Sequence, residues 1–286
     1  MPDICYLNGK FLPIEDAYVH IEDRGFQFGD SLYEVVRMYD GVPFRASQHL
    51  DRLFRGLEFI QVEIPYRKED LLEIFNEAAK RSGHGTAFIY LQVTRGSAGP
   101  RSHVFVPGYK PTVVITVRAV EPMPESVREA GLKAITHPDW RWANNYVKAT
   151  TLLPNILIRT KVSRLGCYDA VLYREDGYIT EGTVSNFFAI LNGVLRTHPL
   201  TGRILAGITR MSVLEIAKSQ GTPFEERAIR TDEVYHASEA FFADTYGEVI
   251  PIVDIDGQAI GTGKAGPIAM QVWRAFREMV KKETAR

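Results

Sequence analysis

Two cysteines in 286 residues, Cys5 and Cys167, are too few for a disulfide framework and lack metal-ligand spacing. A reducing cytoplasm is therefore the expected setting. Charge of either sign is also scarce as an excess: 34 Lys and Arg against 35 Asp and Glu leave a net charge of −1. That balance gives no electrostatic case for nucleic acid or an anionic membrane surface as a partner. No apolar run approaches the ~20 residues of a membrane-spanning helix. Met1-Pro2-Asp3-Ile4-Cys5 has no basic region leading into an apolar core, so no signal peptide is expected. Internal repeats and low-complexity tracts are absent. What is present is 45% hydrophobic residues and 24% charged ones, ample core for two modest domains or one large one.

Turn signals divide the chain. Asn8-Gly9 separates strands at 4–7 and 10–12, because both residues tolerate positive φ. A strand over 31–39 turns at Asp40-Gly41 and returns over 42–45. Ser47 is placed to cap a helix carrying Leu50, Leu53, Phe54 and Leu57 at helical spacing. A second helix over 68–81 stops at Gly83, and strands follow over 86–94 and 111–120. Glu121-Pro122-Met123-Pro124 disfavours both helix and central strand, and reads as a linker between a domain at 1–120 and one at 125–286. Beyond it, a helix is expected over 149–165, with Pro154 early and Gly166 past its end. Hairpins are expected around Asp176-Gly177 and Asn192-Gly193, an apolar strand over 240–243, and helices over 208–219 and 267–282. The fold class is α/β (α+β) in two domains, with a cleft between them as the expected ligand site.

Lys148 and Glu181 are the pair with chemical content. A lysine amine that loses its proton can form a Schiff base with an aldehyde cofactor. A glutamate can hold a proton on a pyridine nitrogen and so make the ring an electron sink. Thr183, Ser185 and Asn186 beside Glu181 offer short donors. Gly207-Ile208-Thr209 opens a helix whose free N–H groups and positive dipole end favour an anion. Together these residues suggest pyridoxal 5′-phosphate (PLP).

Six segments carry a resemblance that covers nearly the whole chain. They are Glu22-Asp23-Arg24-Gly25-Phe26-Gln27-Phe28-Gly29-Asp30 with Tyr33-Glu34, His49-Leu50-Asp51-Arg52-Leu53, Asn144–Thr150 around Lys148, Glu181–Asn186, Ile204–Arg210, and Thr94-Arg95-Gly96 through Arg101-Ser102-His103. The chain resembles the fold type IV PLP-dependent aminotransferases, and the sixth segment resembles their D-amino-acid aminotransferase branch.

The resemblance implies a small N-terminal and a larger C-terminal domain, and assigns roles residue by residue. Lys148 is the Schiff-base lysine and proton carrier, and Glu181 the pyridine-nitrogen partner. Arg52, Gly207, Ile208, Thr209 and Thr245 hold the phosphate, while Leu205 packs a face of the ring. Tyr33, Arg101 and His103 trap the substrate carboxylate, with the Arg and His supplied across a homodimer. The implied reaction moves an amino group between D-alanine or D-glutamate and pyruvate or 2-oxoglutarate. Three rivals share the scaffold: an aminodeoxychorismate lyase, a branched-chain L-aminotransferase and an (R)-amine transaminase. A non-enzymatic PLP-binding protein has no need of the clamp. Two departures stand out: Asn144-Asn145-Tyr146 replaces a segment that carries a basic and an acidic residue in this branch, and the loop over 96–100 is one residue longer than typical.

Overall fold

The computed structural model describes residues 4–285, so residues 1–3 of the N-terminal reading lie outside it. The chain folds as two compact units. One comprises residues 4–121, 147–151 and 283–285, and the other residues 122–146 and 152–282. The chain therefore passes between units more than once, rather than only at the Pro-rich stretch.

The first unit is a six-stranded, wholly antiparallel sheet. Its strands are β1 (Ile4–Leu7), β2 (Lys10–Pro13), β3 (Ser31–Tyr39), β4 (Val42–Pro43), β5 (Ala87–Ser97) and β6 (Lys110–Ala119), in the order β2-β1-β6-β5-β3-β4. Helix α1 (Arg24–Phe28) precedes β3, and α2 (Ala46–Phe59) and α3 (Lys68–Ser82) follow β4. Leu50, Leu53 and Leu57 of α2 and Leu71 and Phe75 of α3 join Leu32, Val36, Ile89 and Ile115 in one buried cluster. The stripe read from the sequence is thus the face that α2 buries. Ser47 does not cap α2. Arg45 occupies that position at φ 52° and makes no side-chain cap bond, so the helix starts two residues earlier than a Ser47 cap requires.

The second unit is built on an eight-stranded mixed sheet of β7 (Leu132–Pro138), β8 (Asp169–Tyr173), β9 (Asn186–Leu191), β10 (Val194–Thr197), β11 (Phe224–Glu226), β12 (Glu239–Asp244), β13 (Glu248–Ile255) and β14 (Gln258–Ala259). Their order is β11-β10-β9-β12-β13-β7-β8, with β14 beside β13. Helices α4 (Glu125–Ala130), α5 (Leu153–Arg164), α6 (Ile208–Ser219) and α7 (Pro267–Thr284) complete it. The Asn192-Gly193 hairpin pairs β9 with β10 as expected. At Asp176-Gly177 the return is short: the Arg174 and Thr180 amides bond back to Tyr178 and Leu172, but only an isolated bridge, Tyr173 to Ile179, forms.

The helix expected from 149 begins at Leu153. The residues before it form no helix, and those up to Thr151 are claimed by the first unit. Leu32 bridges Ala149 in antiparallel fashion, the Tyr33 amide donates to Lys148 O at 3.1 Å, and the Thr150 amide donates to Ser31 O at 3.1 Å.

Candidate active site

Lys148 is fixed by its backbone before its side chain is considered. The bonds to Ser31 and Tyr33 hold the segment against β3, the Thr150 and Ser31 hydroxyls contact each other, and Val147 is buried in the core cluster. The side chain is half-buried, with Nζ 4.2 Å from the centroid of the Tyr33 ring. Lys148 and Tyr33, predicted as cofactor and substrate residues, are therefore neighbours.

Tyr33 and Glu34 alternate to opposite faces of β3. Glu34 is fully buried and receives two bonds from Arg52, Nε to Oε1 and Nη2 to Oε2, both 2.7 Å. His49 Nδ1 lies 2.7 Å from Oε2. Burial alone raises a carboxyl's pKa, but the Arg52 guanidinium overrides it and holds Glu34 at about 2. Burial pushes His49 below the usual imidazole range, so the ring is neutral and Nδ1–H donates to the carboxylate. Arg52 is thus a buried, bidentate partner rather than a solvated side chain, and the sequence reading did not anticipate Glu34 and His49 as its company.

Arg101 and His103 stand exposed on the loop joining β5 to β6. Both lie against Phe28: the Arg101 guanidinium is 4.5 Å from its ring centroid, and the His103 ring 5.4 Å.

Glu181 lies in the second unit and is 4% exposed. Oε1 accepts from Arg141 Nη1 at 2.6 Å, and Oε2 accepts from Asn186 Nδ2 at 2.8 Å and the Leu205 amide at 3.1 Å. Arg141 also grips both oxygens of Asp139 at 2.9 Å, and Asp139 in turn meets Thr180 Oγ1 and Arg174. Burial pushes the Glu181 carboxyl up to about 7, against the pull of Arg141. Sequence reasoning passed over Arg141 and Asp139. The signal available was a basic and an acidic residue two apart among Trp140 and Trp142.

Thr183 and Ser185 turn their hydroxyls onto buried Asp169, at 2.5 and 2.6 Å. They fasten the turn that presents Glu181 and Asn186, which is an ordering role. Asn186 Nδ2 also donates to Leu205 O at 2.9 Å, so Glu181, Asn186 and Leu205 form one connected group. Gly207 caps α6 without a side-chain cap bond, and a Cβ there would overlap Asn186 Oδ1. Only glycine permits that approach. Ile208 and Thr209 are buried in the first turn. Thr245 is half-buried in the β12–β13 turn.

This donor set fits PLP. A buried carboxylate with fixed partners suits a pyridine nitrogen, and a helix start with no acidic residue and no side-chain cap suits a phosphate. Among the described residues no group of three His, Cys, Asp or Glu could hold a metal ion, and no helix is long and apolar enough to cross a membrane.

Residues 31–255 match the family model described as amino-transferase class IV. A D-alanine aminotransferase of Bacillus licheniformis is 38% identical over 279 residues, 98% of each chain. One from Listeria monocytogenes is 39% identical over 276 residues, 96% of this chain and 95% of that protein. Among solved structures, the branched-chain amino acid aminotransferase of Escherichia coli superposes with a TM-score of 0.92 at 28% identity, over 99% of this chain and 96% of that one. A T.th. branched-chain amino acid aminotransferase, solved with pyridoxamine 5′-phosphate, gives 0.91 at 27%, over 100% and 96%.

Proposed function

This chain belongs to the amino-transferase class IV family, and from that premise we propose that it is a PLP-dependent transaminase exchanging an amino group between a D-amino acid, D-alanine or D-glutamate, and pyruvate or 2-oxoglutarate. The observation that carries the chemistry is Glu181, a buried carboxylate held by three donors, one of them the Arg141 guanidinium. The D-alanine aminotransferases matched along almost the full chain support the choice of substrate.

When bound, PLP supplies an electron sink for the charge left when the α-hydrogen departs. Lys148 Nζ would hold the cofactor through its aldehyde and, as a free amine, would carry the proton taken from the substrate α-carbon. Glu181 would hold the proton on the pyridine nitrogen. The first turn of α6, from Gly207 through Thr209, would hold the phosphate with Thr245, and Leu205 would pack a face of the ring; Arg52, in the first unit, is the further phosphate residue that the resemblance implies. Thr183, Ser185 and Asn186 order these contacts.

Tyr33, Arg101 and His103 anchor the substrate carboxylate. Held there, a D-amino acid turns its α-hydrogen toward Lys148, whereas an L-amino acid turns its side chain there. The exposure of Arg101 and His103 on their own subunit supports their serving a second copy, with a cytoplasmic homodimer as the working unit. The branched-chain alternative has the likeness of solved structures in its favour. The two readings separate on incubating the protein with D-alanine and 2-oxoglutarate and following pyruvate in a coupled assay. Faster reaction with L-leucine than with D-alanine overturns the D-specific reading.

A further inference from the structure

The segment Asp23-Arg24-Gly25 has no part in the chemistry above, yet it is among the most constrained in the first unit. Asp23 is buried, and its carboxylate receives the Thr94 and Thr112 hydroxyls at 2.9 and 2.7 Å and the Gly25 amide at 2.7 Å. Thr94 is on β5 and Thr112 on β6, the two strands that the Arg101–His103 loop connects. A Cβ on Gly25 would overlap Thr94. The backbone of Arg24 is therefore pinned to the base of that loop.

From that base the Arg24 side chain reaches into the loop. Nη1 donates to Ser102 O, and Nη2 donates to His103 O at 3.3 Å. These two carbonyls belong to the residue between the clamp side chains and to one clamp residue itself. Arg24 Nε donates to Asp30 at 2.7 Å, and Asp30 takes two further bonds from Arg95, at 2.8 and 3.0 Å. Burial works against the Asp30 charge, but Arg95 and Arg24 hold its carboxyl below the usual range, so the junction stays ionic at neutral pH. Arg95 lies 3.9 Å from the Phe105 ring centroid and so steadies the far side of the same loop. The loop has no helix or strand of its own from 98 to 109. Between the two clamp side chains, the backbone carbonyls of Ser102 and His103 are held by the Arg24 guanidinium.

We propose that Arg24 is a positioning residue for substrate binding: it sets the loop backbone so that Arg101 and His103 present their side chains together. The inference rests on the reading of Arg101 and His103 as the carboxylate clamp. Arg24 touches neither substrate nor cofactor in this role. Its loss should appear in KM for carboxylate substrates and leave the affinity for PLP alone.

The test is a mutant cycle on the holoenzyme with D-alanine as substrate. Arg24→Met should raise KM on the order of ten- to a hundred-fold, the scale of a misplacement near 1 Å, with a smaller change in kcat. PLP affinity should stay within about twofold, since no assigned cofactor contact is removed. Arg24→Lys, which can reach one carbonyl but not grip both with Asp30, should fall between, and it carries the same cycle should Arg24→Met not fold. In the Arg101→Ala background the Arg24 change should add little, because the loop then has less to present. An unchanged KM in the Arg24 variant beside a raised one in Arg101→Ala overturns the inference and leaves the function intact. Fully additive effects overturn it too, as they mark a merely structural residue. An unchanged KM in Arg101→Ala refutes the clamp itself.

Discussion

Replacing Glu181 with Gln separates two consequences of burying a carboxylate. In the protein without cofactor, burial lifts the Glu181 pKa from 4.5 to about 7. A folded-state pKa raised above its unfolded value means the folded chain binds more protons between these limits. Stability then falls as pH rises through that window. With about 1.4 kcal/mol for each tenfold change in proton affinity, the loss between pH 5 and pH 8 is on the order of 2–3 kcal/mol. Gln does not titrate, so the variant should not show this loss.

The amide brings its own penalty, because one of its ends must present N–H groups to a donor among Arg141, Asn186 and Leu205. That costs about 1–3 kcal/mol but does not change with pH, so it cancels when pH 5 is compared with pH 8. Arg141 keeps both oxygens of Asp139 and is not left unpaired. Urea unfolding of the cofactor-free parent and variant at the two pH values gives the difference directly. The catalytic arm goes the other way: kcat for D-alanine should drop about 100-fold or more, the scale of removing a group that stabilises developing charge. Parallel pH dependence in the two proteins, or an unchanged kcat, refutes the assignment of Glu181.

Lys148→Ala should retain PLP through ring and phosphate contacts while losing turnover by several orders of magnitude; borohydride followed by peptide mass spectrometry should label Lys148 in the parent, and label on another lysine refutes the assignment. For Arg52→Ala, the Glu34 pKa of about 2 against an ordinary 4.5 means stabilisation that is present above pH 4.5 and lost as pH falls toward 2. Removing the arginine leaves that charge buried, at a cost of about 3–5 kcal/mol at pH 7, read by urea unfolding. PLP should also bind more weakly by about 1.5–3 kcal/mol if the guanidinium meets the phosphate. Gly207→Ala should push Asn186 aside and weaken PLP about tenfold, or about 1.4 kcal/mol, measured by equilibrium dialysis.

The local elements were legible in the sequence and the non-local ones were not. The turns at Asn8-Gly9, Asp40-Gly41 and Asn192-Gly193 are written in residues that tolerate positive φ, and the α2 stripe in its spacing. Strand β7 escaped because it is set by partners far away, pairing in parallel with both β8 and β13. The helical reading of 149–152 failed for a related reason: Lys148 to Thr150 answer to Ser31, Leu32 and Tyr33, more than a hundred residues upstream. At the site, Lys148 and Glu181 could be read because their chemistry needs those residue types. The buried pairing of Arg141, Asp139, Glu34, His49 and Arg24 is not written in the sequence, because a buried ion pair is known only from who faces it.

The unusual Asn144-Asn145-Tyr146 stretch bears on how Glu181 is charged. Asn145 donates to Arg203 O at 3.1 Å, a neutral contact where the branch pattern carries charge. Charge near Glu181 comes instead from Arg141 and Arg174 against Asp139 and Glu181 itself, a set that is neutral when Glu181 is ionised. Below about pH 7, Glu181 holds a proton that it could share with the pyridine nitrogen, so that pair need take no proton from solvent when the cofactor binds. Above that, the proton must come from solvent, and affinity should fall about tenfold per pH unit. The lysine and phosphate contribute their own pH dependence, and Glu181→Gln shares both. The parent-to-variant ratio of PLP dissociation constants should therefore be flat from pH 5.5 to 6.5 and climb steadily above pH 7.5. A ratio that stays level throughout would mean that Glu181 does not share its proton with the ring.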